Sequence, residues 1–498
     1  MAEDLPPNPD LDHLRKQAKS LLRAYRNDEP HAVAQLNVLR LKRLPRLSDA
    51  KHAIALRYGF ESWSRLKDHV ESAVAPTEAL LQEAKAAFLR DDAAAFGKLL
   101  KKHPALQKRI NEPVADFDSP LINHVRSREM LDVLLDYGAD VNARSRWWAG
   151  GFGLLDCAEP ELADYAVRRG ATMTIHAAAR LGHVDQIRAL VADNPGLIRA
   201  RGGDGQTALH FASTIEVAEW LLHHGAEIDA PDIDHESTPA QYMVRTRPDV
   251  ARYLIRRGCK TDLLMAAALG DADLVAKHLH EDPESIRIRV SDEYFPMVDS
   301  GRGGTIYQWE LGWYVSACQV ARSFGHHEVF EQLMAQSPSE EKLLNACWLH
   351  DEAMVRSLLA ENPRLADALP AAGRRHVAHA ARSNDNTAAQ LMLHAGIPAK
   401  GTYSQHHATA LHWAAFHGNA GLVRLILRHS PDLEDVDNEF SSTPLGWVIH
   451  GSENGWYRGA GDYGTTVTIL LDAGASPPPE LSGSSEVRAA LRHGRLRS

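Results

Sequence analysis

Between Ala408 and Pro431 the apolar positions change their spacing once, and the change defines a unit. Thr409-Ala410-Leu411-His412 opens a short segment whose small Ala414 and Ala415 allow a neighbour to pack close, and Gly418-Asn419 interrupts it. Leu422, Val423, Leu425 and Ile426 then fall at i, i+1, i+3 and i+4, as the buried side of a second helix must. Neither helix can hide its apolar face alone. The pattern therefore predicts a pair of short helices stacked between like units, with Leu425 on the buried stripe. Nearer the amino terminus the spacing is helical but does not repeat. Leu11, Leu14, Ala18, Leu21 and Leu22 form one stripe, Ala32 to Leu41 a second, and Leu47 to Tyr58 a third that stops at Gly59. Trp63, Leu66 and Val70 suggest a last short helix, and residues 73–77 read as a joint.

The paired unit recurs along most of the chain. Gln206-Thr-Ala-Leu-His210 is followed by Phe211-Ala212 and by a second helix ending Trp220-Leu-Leu-His-His-Gly225. Ser119-Pro120-Leu121 leads to Leu134-Leu135-Asp136-Tyr137-Gly138-Ala139, and Leu470-Leu471-Asp472-Ala473-Gly474-Ala475 closes the last copy. His176 to His210 is 34 residues and Gly225 to Gly258 is 33. These motifs and this spacing resemble the ankyrin repeat, with its period of about 33 residues. The resemblance implies an all-α, ankyrin-repeat solenoid of about eleven or twelve helix pairs carrying long finger inserts. It also implies that His176, His210 and His412 are structural, tying neighbouring turns together by hydrogen bonds, and that the fingers line one edge of a concave groove. Lys102-His-Pro104, Asp193-Asn-Pro195, Glu281-Asp-Pro283 and Glu361-Asn-Pro363 replace the Gly-Ala ending with a proline that stops the second helix by another route. We read residues 1–75 as a helical module covering the first repeat, 76–482 as the repeat array, and 483–498 as a closing helix.

Composition narrows the function classes. The net charge of −10 argues against a general affinity for nucleic-acid phosphates. Residues 10–70 run against it, with 13 Lys/Arg to 7 Asp/Glu, and Arg40, Lys42, Arg43 and Arg46 crowd together as either a solvated face or an anchor for an acidic partner. No apolar run reaches the roughly 18 residues of a membrane span, and no secretory signal is seen. Cys157, Cys259, Cys318 and Cys347 are too scattered for a disulfide framework or a CxxC clip, so a reducing cytoplasm is the expected location.

The departures from the repeat carry the candidate chemistry. Four inserts exceed what a turn needs: residues 144–153, 229–236, 291–314 and 451–464. Five of the ten tryptophans, Trp147, Trp148, Trp309, Trp313 and Trp456, lie in or beside them. Aromatics of that size in plain solvent-exposed loops invite aggregation, so they pack on one another, on a ligand or on a partner. Asp232, Asp234, His235 and Glu236 bring oxygen and nitrogen ligands close together. No EF-hand or HExxH pattern accompanies them, so no metal or other cofactor is assigned. His326-His327 and His406-His407 stay unassigned.

Two function classes remain open. A protein-binding scaffold would use Trp147, Trp148, Trp309 and Tyr294 as aromatic anchors. A pocket for a small polar ligand would add Tyr307, Trp313, Trp456, His235 and Asp462, with Arg144, Arg146 and Arg201 holding anionic or hydroxyl groups. In that pocket Asp204, Asp234, Glu236 and Glu293 are the candidate acids and bases, and glycoside hydrolysis is the reaction needing least else. GxSxG, a phosphate loop and a dinucleotide fingerprint are all absent from the sequence.

Overall fold

The structure, a computed structural model, describes residues 5, 11–73, 78–299, 301–403 and 406–495. Of the joint read at 73–77, Ala73 ends a helix and residues 74–77 lie outside the described residues. Among the described residues the regular structure is helical, with isolated bridges and no strand. None of those helices is long and apolar enough to cross a membrane.

The chain forms two compact units, Met1–Asp234 and His235–Ser498. The first begins with four helices, Leu11–Arg26, Pro30–Asn37, Leu47–Arg57 and Trp63–Ala73, closed around Leu14, Ala18, Leu36, Ile54, Leu66 and Val70. Trp63–Ala73 packs on the short helix Pro104–Gln107 that follows the first repeat. In the basic stretch Arg43 is bound by Asp49 at 2.6 Å, while Arg40, Lys42 and Arg46 are exposed.

Five helix pairs follow in the first unit. They are Glu78–Leu89 with Ala93–Lys102, Leu121–His124 with Arg128–Asp136, Leu154–Cys157 with Pro160–Arg168, Ile175–Leu181 with Val184–Asp193, and Ala208–Phe211 with Ile215–His223. The second unit holds seven: Gln241–Met243 with Pro248–Arg256, Leu263–Leu269 with Ala272–Glu281, Ala317–Ser323 with His327–Gln336, Ser339–Trp348 with Glu352–Glu361, His376–Arg382 with Asn386–His394, Ala410–Phe416 with Ala420–Leu427, and Pro444–Asn454 with Tyr463–Asp472. Among the described residues there are thus twelve pairs, the upper end of the expected range. The helix Ser485–Arg495 lies against Tyr463–Asp472 and buries Val487 and Leu491.

Local chemistry explains why the helices stay short. Asp92, Ser127, Thr174 and Thr214 in the first unit, and Asp262, Ser316, Asp385 and Asn419 in the second, accept the backbone N–H three residues on. Each such cap is worth about 1 kcal/mol. Gly138 ends its helix at φ 86°, a conformation that costs any side chain strain. At the proline exits, Pro104, Pro195 and Pro283 each open a new turn of helix two residues after the old one ends. The repeat histidines act as ties. His412 Nδ1 accepts the Thr409 N–H while its Nε2 meets the carbonyls of Asp435 and Ser442 at 3.1 Å, and His176 Nε2 meets Ala200 O at 3.0 Å. His326 and His417, from the other end of the first helices, hold Ala268 O and Arg382 O in the same way.

One expectation needs correction. In Ala420–Leu427 the buried stripe is Leu422, Val423 and Ile426, and Leu425 is only half-buried because it lies at the edge of that arc. Ile426→Ala is therefore expected to cost about 2–5 kcal/mol, and Leu425→Ala distinctly less, in chemical denaturation. Equal losses would mean the helix sits rotated from this placement.

Candidate binding site

In the first unit the inserts lock successive fingers to one another. Arg144 and Gly153 pair across the 144–153 finger, and Ser145 N–H donates to Phe152 O at 2.7 Å. Arg144 reaches the buried carboxylate of Asp156 at 2.9 Å, and Asp156 also accepts the Gly153 N–H. Trp147 stands edge-on to Phe117 and tilted to Trp148, whereas Arg146 is exposed. Gly150 meets the finger before Ala208–Phe211 so closely that a Cβ there would clash with Gly202 O. Arg201 donates to the carbonyls of Gly205 and Pro231, and Asp204 O accepts from Ile233 N and Asp234 N at 2.8 and 3.1 Å. Arg144, Trp147, Arg201, Asp204 and Asp234 thus sit among contacts that join four fingers, those holding Phe117, Trp147, Arg201 and Asp234. Beside them lies a cavity of about 400 Å³ lined by Arg144, Arg201, His176, Met173, Ile175 and Leu197.

In the second unit the acidic and aromatic candidates of the 291–314 insert are likewise engaged. Glu236 accepts the N–H groups of Val298 and Asp299 and pairs with Arg302 at 3.0 Å. His235 Nδ1 meets Gly304 O at 2.8 Å, and its ring lies against Trp309. Tyr307 is fully buried and donates to Asp262 at 2.9 Å, and burial first, with the Asp262 charge, pushes its hydroxyl well up. Glu293 faces Arg375 at 3.8 Å, and burial raises the Tyr294 hydroxyl. Asp462 caps Tyr463–Asp472 by accepting the Thr465 N–H.

Two features of this unit escaped the sequence reading. The first is a buried polar centre. Arg289 and Glu341, 2% and 3% exposed, pair at 2.8 Å; Arg289 also donates to Gln319 and lies over the Tyr314 ring. Tyr314 stacks flat on His379 at 3.3 Å and 5°, and His376 Nδ1 accepts the Trp348 indole N–H at 2.9 Å. Burial drives both histidines well below the usual imidazole range, aided by the positive charge of Arg289.

The second is an aromatic cup of about 410 Å³. Trp413, Phe416 and Trp447 form its floor, with Trp413 and Trp447 edge-to-face at 5.2 Å. Phe440 and His406 wall one side, and Trp456 and His450 the other; Phe440 and Trp456 are each 59% exposed. Behind Trp456 and Trp413 lies the Arg382 guanidinium, with Cζ 4.9 Å from the ring centre of Trp313, 5.0 Å from Tyr403, 5.6 Å from Trp413 and 5.1 Å from Trp456. Of the sequence candidates, Trp313 and Trp456 meet here. The missed residues carried a signal: Asn345, His379, Trp413 and Trp447 recur every 34 residues, as do Trp348, Arg382, Phe416 and His450. These are two columns, i and i+3 on successive first helices, and they face one way.

Comparison with protein families agrees with the repeat. A family model described as ankyrin repeats (3 copies) matches residues 154–232 and 175–265, and one described as ankyrin repeat matches residues 406–438. The last match spans His406, Trp413 and Phe416.

Proposed function

We propose that this ankyrin-repeat protein is a binding scaffold, and that it takes a protein partner through the aromatic cup of its last repeats. The observation carrying this reading is the pair of exposed walls, Phe440 and Trp456, over a ring-lined floor. Large aromatics left in water around a concavity are unfavourable for a free surface and typical of the anchors that dominate an interface. The two walls come from different elements, the finger before Pro444–Asn454 and the loop after it, and both line the same cup.

A pocket for a small ligand is the second reading, favoured by a volume within the range of ligand cavities. A glycoside-hydrolysing version would need two carboxylates facing one cavity, and among the described residues lining the cup there is none. We therefore leave Asp204, Asp234, Glu236 and Glu293 out of the proposed site.

The test is selection from a displayed random-peptide library on the full chain, followed by titration of the enriched peptides. Trp456→Ala and Phe440→Ala are each expected to weaken binding by about tenfold or more, the loss typical of an anchor residue, with the melting temperature nearly unchanged. Enriched peptides that bind both variants as well as the parent would exclude the cup as the recognition face.

A further inference from the structure

Arg382 is an unusual neighbour for this cup. Its guanidinium is half-buried among four rings, its Nε is buried with no hydrogen-bond partner, and among the described residues no carboxylate forms an ion pair with it. Burial lowers its basicity, with Tyr403 and the Asp292 carboxylate acting the other way. The rings compensate the charge partly, through their negative faces, but satisfy none of its N–H donors. An arginine so placed is ready for a planar, bidentate acceptor.

The charge also restricts what the cup can hold. Trp413 and Trp456 present rings both to the cup and to Arg382, so a lysine or methylated amine entering the cup would find the wall already serving a cation and would be repelled by it. A neutral apolar group meets no such penalty, and a nearby anion gains. Trp456 is the shared boundary, its ring centre 5.1 Å from Arg382 Cζ. A ligand crossing its exposed edge would reach both places. In an extended peptide, residues two apart lie on the same face and about 6.6 Å from each other, which matches a step over one indole.

Resting on the reading of the cup as a protein-recognition face, we propose that the partner presents an extended acidic segment. A large apolar side chain enters the cup, and an aspartate or glutamate two residues away pairs with Arg382. The recognition element is thus a short apolar–x–acidic stretch in which the aromatic floor supplies affinity and Arg382 supplies selectivity for the charge.

The experiment uses fluorescein-labelled nonapeptides on an Ala/Ser/Gly background. Each carries one Leu, Phe or Trp and one Asp at a spacing of one to four residues, with Asn and Lys counterparts, and each is titrated against the full chain. Asp at a spacing of two is expected to bind about tenfold better than Asn, the order of one charge-assisted bond, with Lys weakest. The advantage should shrink as salt rises, vanish in Arg382→Gln and persist in part in Arg382→Lys. Because the Asp-to-Asn comparison and the salt series use the unaltered protein, the proposal stays testable even if Arg382→Gln folds poorly. Equal binding of Asp and Asn peptides, with both lost in Trp456→Ala, would overturn the acidic pairing and leave the cup intact as a site. Peptides that bind without regard to Trp456 and Phe440 would overturn both.

Discussion

Replacing Glu341 with glutamine is expected to destabilise the second unit by about 3–5 kcal/mol, the loss that follows when one partner of a buried ion pair is removed. Glu341 is 3% exposed and serves two arginines, Arg289 at 2.8 Å and Arg287 at 3.5 Å. Arg287 keeps the carboxylates of Glu340 and Glu284, but Arg289, 2% exposed, keeps only Gln319 and the Tyr314 face. The neutral amide fits the same space, so the loss isolates an uncompensated charge from any change in packing. The pair need not be stabilising in itself, since the cost of drying two ions offsets much of their attraction. Arg289→Met combined with Glu341→Leu should therefore recover most of what Glu341→Gln loses. Denaturant midpoints, with hydrogen exchange across Ser339–Trp348, would measure both. A loss below about 1 kcal/mol in the single variant would show that water reaches Arg289.

That centre was invisible in the sequence for a physical reason. Arg289 lies in a finger and Glu341 opens the helix Ser339–Trp348, and nothing local to either residue marks a charge as buried. The repeat was legible because its signals are local: a capping threonine before Ala410–Phe416, a glycine at φ 86° after Arg128–Asp136, a proline after Val184–Asp193. Leu425 shows the limit of periodicity. Apolar residues at i, i+1, i+3 and i+4 span an arc wider than the surface a neighbouring repeat covers, so one edge stays half-exposed.

The inserts were legible as departures from economy, but the work of each side chain was not. Glu236, held by two N–H groups and Arg302, and Asp462, a helix cap, look in sequence like any acidic residue in a long loop. Trp413 and Trp447 were hidden the opposite way, inside ordinary repeats. Their 34-residue spacing makes sense only once it is clear that this position of each first helix faces the fingers.

Acid should destabilise the second unit as pH falls below about 6.5. His376 and His379 are buried, and burial together with Arg289 holds both well below the usual imidazole range; His417 is lowered to about 4, again mainly by burial. His376 makes the point structurally: its Nδ1 is the acceptor for the Trp348 indole, so a proton there would replace a hydrogen bond with two opposed donors. Well above about pH 6.5 these rings are uncharged in both the folded and the unfolded chain and contribute nothing to the pH dependence. Below about pH 6.5 the unfolded chain takes up protons that the folded chain refuses, so stability falls as pH falls, by up to about 1.4 kcal/mol per pH unit for each histidine. Between about pH 6.5 and 5, His376 and His379 together should remove about 3–4 kcal/mol. Asp262 and Glu310, whose carboxyls burial pushes up, act in the opposite sense: as pH falls through their raised folded values, above the range where an unfolded carboxylate protonates, the folded chain takes up those protons first and recovers part of the loss. The measurement is the denaturant midpoint of the full chain from pH 7.5 to 5, repeated for His379→Gln, which should flatten the slope by close to one proton. A midpoint that stays level down to pH 5 would mean that these histidines are open to water and that the polar centre is wet.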